Sequence, residues 1–135
     1  RNYYSRHDYE AIPSATANEI YNNLLSMLPS LKENKFAGNL VKQSDNFSYL
    51  DPVDNSISNN QGLRIVLEDN SRVILRLSGT GTQGSTLRLY FEKFVSAKQN
   101  LALDPQVALK DLINDLDHLL NISKLTKMQK PTVIT

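Results

Sequence analysis

Apolar positions fall into two periodicities along this chain, one helical and one alternating. Ile20, Leu24, Met27 and Leu28 recur at helical spacing and predict a helix over 14–28. Ser14 is placed to cap its start, although Ala17 gives no capping box, and Pro29 is expected to end it. Further on, strict alternation takes over. Leu63, Ile65 and Leu67 share one face, as do Val73, Leu75 and Leu77, and then Leu87, Leu89 and Phe91. These runs predict strands over 62–68, 72–78 and 86–92, with Asp69-Asn70 as a tight turn between the first two. Short connections between consecutive strands favour an antiparallel meander. Helical spacing returns after Asp104, an N-cap candidate followed by Pro105 at the first helical position. Val107, Ala108, Leu112, Ile113, Leu116, Leu119 and Leu120 form its apolar stripe.

The remaining stretches carry weaker signals. Residues 29–38 read as a polar connection ending in Gly38, and 39–43 as a short strand candidate. Asp45 to Ser56 is rich in turn formers and reads as an ordered loop with room for one short strand, and the tail from Lys124 is polar. A sheet with one apolar face needs a cover, and the helices supply it. The expected class is α+β: an antiparallel sheet covered on one face by two main helices.

Composition narrows the picture. A length of 135 residues suits one domain, which at this size buries roughly 70% of its unfolded surface. Fifteen basic against 14 acidic side chains leave a net charge of +1, too little field for nucleic acid or an anionic membrane, so any anion site must be local. The chain has no cysteine, which excludes disulfides, thiolate metal sites and a cysteine nucleophile and fits a reducing, cytoplasmic setting. No apolar run approaches the ~18 residues of a membrane span. The first residues, Arg1 to Tyr9, do not form a signal peptide, and the missing initial Met suggests a piece of a longer chain.

The chemistry concentrates in Arg76-Leu-Ser-Gly-Thr-Gly-Thr-Gln-Gly-Ser-Thr-Leu-Arg88, where three glycines and a run of hydroxyl side chains lie between two arginines. Glycine lets backbone approach an anion, hydroxyls and free N–H groups donate, and arginine presents a fixed fork to phosphate oxygens. Strand alternation puts Arg76 and Ser78 opposite Leu75 and Leu77, and Thr86, Arg88 and Tyr90 opposite Leu87, Leu89 and Phe91. Both arginines therefore avoid the apolar face, and a hairpin would bring them together. A glycine-rich turn flanked by solvated arginines is the plainer reading of the same residues. Gly79-x-Gly81-x-x-Gly84 matches the dinucleotide fingerprint by letter, but a strand follows where that motif needs a helix. Gly84 is also followed by Ser85-Thr86 without the lysine of a nucleotide P-loop.

Other candidates are thin. His7 and His118 are the only histidines and are too isolated for a metal site, with His118 in the last turn of the second helix. Asp45, Asp51 and Asp54 lack the spacing of an EF-hand and read as turn chemistry. Ser78 has no neighbouring His and Asp, so no nucleophile or general acid–base pair stands out.

The segment from Arg76 to Tyr90 resembles the phosphate-binding loop in the C-terminal domain of the phosphoglucomutases, members of the α-D-phosphohexomutase family. Similar stretches lie at Arg1 to Glu10, Asp45 to Asp54, Gln61 to Ile65, Asp69 to Arg72 and Pro131 to Thr135, so the resemblance covers essentially all of residues 1–135. It implies a TATA-box-binding-protein-like α+β fold and a place as one C-terminal domain of a longer chain. It also implies the interconversion of glucose 1-phosphate and glucose 6-phosphate through glucose 1,6-bisphosphate, a phosphoserine and Mg²⁺. The phosphoserine and metal ligands would lie in other domains of the same enzyme, leaving no catalytic or metal residue here and an isolated domain without activity. By motif position, Arg76, Ser78, Gly79, Thr80, Gly81 and Arg88 would contact the substrate phosphate. Thr82-Gln83 departs from the smaller pair common in relatives, at the loop tip. A non-catalytic relative with a structural or interaction role is the alternative.

Overall fold

The computed structural model describes residues 1–50, 57–81, 84–96 and 103–135. Its strands are β1 (Asn2–Ile12), β2 (Lys35–Phe36), β3 (Asn39–Leu50), β4 (Ile57–Leu67), β5 (Arg72–Gly81), β6 (Gly84–Phe94) and β7 (Val133–Ile134). They form one sheet in the order β2-β3-β4-β5-β6-β1-β7, antiparallel at every pairing. The expected meander is its centre, β4-β5-β6, and the expected α+β class holds.

Alternation decides what each strand buries. Leu63, Leu75 and Leu89 are register partners across the three central strands, as are Ile65, Val73 and Phe91. All six are buried. Helix α1 (Ser14–Leu31) brings Ala17, Ile20, Leu24 and Leu28 against this face, and α3 (Lys110–Leu120) brings Leu112, Leu116 and Leu120. Fully burying one such side chain stabilises the fold by about 1.5–3 kcal/mol.

Several expectations need correction. The first residues form the 11-residue strand β1, inserted between β6 and β7. The stretch from Asp45 lies in β3 up to Leu50, because Gln43 to Phe47 pair with Gly62 to Val66; residues 51–56, with Asp51 and Asp54, lie outside the described residues. Helix α1 runs through Pro29, which removes one backbone donor, and ends two residues later at Leu31. Ser14 makes no capping hydrogen bond; Pro13 is the N-cap, and the Ser14 hydroxyl lies 3.1 Å from that of Ser85.

The second helical region is broken into α2 (Pro105–Ala108), α3 and α4 (Ile122–Thr126), separated at Leu109 and at Asn121, which takes a left-handed φ of 53°. Asp104 does cap α2, accepting from Gln106 N–H at 2.8 Å, with Pro105 at the first position. The break turns Val107 outward, 57% exposed, while Leu109 is buried. The polar tail ends in β7 on the edge of β1, where Arg6 N–H donates to Thr135 O at 3.0 Å. Asp69-Asn70 makes the expected turn, with Asn70 at φ 68°. No helix among the described residues is long and apolar enough to cross a membrane.

Candidate phosphate-binding face

The helices cover one face of the sheet and leave the other open. On the open face, strand register lays the side chains out in rows. One row runs Phe47, Gly62, Arg76, Arg88, Asp8 across five strands, each residue the direct partner of the next. The next row toward the loop pairs Ser78 with Thr86. The expected hairpin therefore exists, and Arg76 and Arg88 stand directly opposite each other. Side chains so paired have Cβ atoms about 4.5–5.5 Å apart, and like charges there are unfavourable unless something offsets them.

Beyond Ser78 and Thr86 the register slips: Gly81 pairs with Gly84, so Gly79 and Thr80 together face Ser85. This is a bulge, a device that re-aims groups beside functional sites. Gly79, Thr80 and Gly81 complete β5 at the hairpin mouth, placed by their backbone alone; Thr82-Gln83, the departure from the family pattern, lies outside the described residues. Gly84 has a specific structural reason. Its φ is +89°, and a Cβ there would sit 2.7 Å from the Ile12 carbonyl oxygen. The loop base is thus pressed onto the backbone at the end of β1.

Asp8 was not among the expected site residues. It is 2% exposed, with Oδ2 3.1 Å from Arg6 Nη2 and Oδ1 3.6 Å from Arg88 Nε. The signal is legible only once β1 is known to be a strand, since Tyr4, Arg6, Asp8 and Glu10 then alternate onto the open face. At the other end of the row the Phe47 ring lies over Gly62, 2.7 Å from where a Cβ would be. Phe47, Ile74, Arg76 and Tyr90 line a shallow cavity of about 220 Å³ beside the arginine pair. Asp45, one of the three expected turn aspartates, instead holds Arg64 in a two-pronged ion pair at 2.9 and 2.7 Å, which raises the Arg64 pKa further.

The histidines stay away from this chemistry. His7 points to the helix side, with Nε2 2.8 Å from Gln106 Oε1 and its ring against Phe91; burial lowers its pKa, opposed by the Gln106 hydrogen bond and Asp8. His118 lies in the last turn of α3, as expected. No group of three or more His, Cys, Asp or Glu able to hold a metal ion lies among the described residues.

Residues 1–132 match the model of the phosphoglucomutase-1 C-terminal domain. This chain belongs to that family. Relatives carry the match over the whole chain: a phosphoglucomutase of Rhizobium radiobacter is 47% identical over 135 residues, and phosphoglucomutase-1 of Homo sapiens is 40% identical over 141. All of this chain is covered in both, against 25% of each relative, so it spans about a quarter of their length. Among solved structures, the open form of Paramecium pp63/parafusin, a phosphoglucomutase described as an exocytosis-sensitive phosphoprotein, superposes with a TM-score of 0.80 at 43% identity. That match covers 100% of this chain and 23% of parafusin.

Proposed function

We propose that this phosphoglucomutase C-terminal domain grips the phosphate of a hexose phosphate, within an enzyme that interconverts glucose 1-phosphate and glucose 6-phosphate through a phosphoserine and glucose 1,6-bisphosphate. The observation that carries the reading is the direct cross-strand pairing of Arg76 and Arg88 on the helix-free face, beside a bulged glycine-rich hairpin. A phosphate dianion between two opposed guanidinium groups accepts charge-assisted hydrogen bonds from both and offsets their mutual repulsion. Ser78, one row nearer the loop, offers a hydroxyl, and Gly79, Thr80 and Gly81 offer backbone N–H groups at the hairpin mouth.

The role fits the chemistry of the interconversion. The reacting hydroxyl must meet the phosphoserine at one end of the sugar while the other end is held, and binding energy on the held phosphate supplies that orientation. Each end is gripped in turn as the bisphosphate turns round, so a site that reads phosphate and little of the sugar suits both orientations. The phosphoserine and the Mg²⁺ belong to other domains of the same enzyme in this reading. In this reading the domain alone is inactive. A second reading, a non-catalytic relative with an interaction role, draws support from the description of parafusin as an exocytosis-sensitive phosphoprotein.

Kinetics of the full-length enzyme test the role. Arg76→Ala or Arg88→Ala should lower kcat/KM at least tenfold, about 1.4 kcal/mol of transition-state stabilisation. Wild-type kinetics in both variants would remove the arginines from the site, and a wild-type protein without mutase activity would favour the second reading.

A further inference from the structure

Register fixes where Arg88 leaves the sheet but not where its guanidinium points, because the long side chain has many rotamers and faces a like charge in Arg76. The residue on its other side is Asp8, the next partner in the same row. A carboxylate this deeply buried is costly unless it is paired. Its Oδ2 is paired with Arg6, while Oδ1 faces Arg88 Nε at 3.6 Å, just beyond hydrogen-bond length. Those two facing atoms, Asp8 Oδ1 and Arg88 Nε, are both buried and without a hydrogen-bond partner. The Arg88 side chain is nonetheless 40% exposed, so its exposure belongs to atoms other than Nε. Asp8 therefore faces the inner edge of the guanidinium, and solvent or a ligand meets another part of the side chain.

We propose that Asp8 is a positioning residue for the phosphate site, holding Arg88 by its Nε edge so that the terminal NH₂ groups face the ligand beside Arg76. The proposal rests on the reading of Arg76 and Arg88 as a phosphate site. Arg6 occupies the second carboxylate oxygen and leaves Oδ1 to Arg88. Catalytic-site hydrogen bonds are often long before ligand binds and tighten in the complex. The Asp8–Arg88 contact is of that kind, and phosphate binding shortens it into a hydrogen bond.

The sign of one substitution separates positioning from simple charge. Asp8→Asn keeps the shape and removes the negative charge. On charge alone the site becomes more positive and binds an anion more tightly; if Asp8 positions Arg88, the variant binds more weakly. The experiment titrates inorganic phosphate into the full-length protein at constant ionic strength and follows the Arg88 Nε–H resonance after arginine side-chain ¹⁵N labelling. In the wild type that resonance should shift saturably, and in Asp8→Asn the apparent Kd should rise at least fivefold. Equal or tighter binding in the variant overturns the positioning role while leaving the site intact. A wild-type Arg88 resonance that ignores phosphate overturns the site itself. If Asp8→Asn does not fold, wild-type exchange decides: Arg88 Nε–H should exchange with solvent more slowly than a free arginine and more slowly again with phosphate. Exchange at the free-arginine rate in both states overturns the proposal.

Discussion

Gly84 and Gly38 allow the effect of a tight backbone contact to be separated from the effect of backbone conformation. Both lie in the left-handed region, at φ +89° and +83°. A Cβ on Gly38 would meet nothing within 4 Å; one on Gly84 would meet the Ile12 oxygen at 2.7 Å, the Ala11 carbonyl carbon at 3.2 Å and the Ala11 Cα at 3.4 Å. The three nearest atoms to that Cβ are all backbone, so no rotamer change relieves the clash. A side chain in the left-handed region costs about 1–2 kcal/mol, and forcing atoms into an occupied space typically costs a further ~1–3 kcal/mol. Gly38→Ala should therefore lose about 1–2 kcal/mol and Gly84→Ala about 2–5 kcal/mol. Urea unfolding followed by circular dichroism reads the difference as a shift in midpoint at constant slope. Losses equal to within ~0.5 kcal/mol would refute the claim that the loop base is pressed onto the end of β1. Gly62→Ala completes the set: its near contact is the ring of Phe47, a side chain that can swing aside, so its loss should fall well below that of Gly84→Ala.

Leu116→Ala, at a fully buried position in α3, should cost about 2–5 kcal/mol, whereas Val107→Ala, at a position 57% exposed, should stay within about 0.5 kcal/mol by the same unfolding assay. Stability should also fall at both ends of the pH scale. Burial lowers the folded pKa of His7 below its ordinary 6.5, so as pH drops below about 6.5 the unfolded chain takes up the proton first and stability declines. Burial, with a smaller contribution from Asp117, raises that of Tyr9 from 10.0 to about 12, so its contribution is complete below pH 10 and is lost between 10 and 12, about 2–3 kcal/mol in all. Tyr9→Phe should make the alkaline arm of a stability–pH profile shallower and leave the acid arm unchanged.

The legible parts of this fold were those where one face is apolar and the other is not. Leu63 to Leu67, Val73 to Leu77 and Leu87 to Phe91 alternate so strictly that strand and face follow together, and placing both arginines off the apolar face left only the register, Arg76 opposite Arg88, to the structure. β1 was hidden because its buried side is Tyr3, Ser5, His7 and Tyr9, a polar-looking set whose hydroxyl and imidazole groups are satisfied by contacts far along the chain: Ser5 Oγ donates to Thr135 O and His7 meets Gln106. Missing that strand also concealed Asp8 and Arg6, since strand register alone brings Asp8 beside Arg88. The second helical region looked continuous because its apolar residues keep helical spacing on both sides of Leu109; the break there re-phases the stripe, burying Leu109 and exposing Val107. Pro29 predicts a stop, and α1 ends two residues beyond it, at Leu31.

The central claim, that the Arg76–Arg88 pair and its hairpin hold a sugar phosphate, is tested most directly by titrating the protein with glucose 6-phosphate and following the resonances of residues 76–88. Saturable shifts at Arg76, Ser78 and Arg88, with a dissociation constant of roughly 1 mM (about −4 kcal/mol) and no such response in Arg88→Ala, are the expected result. Shifts confined to residues outside this segment, or a response that survives Arg88→Ala unchanged, would contradict it.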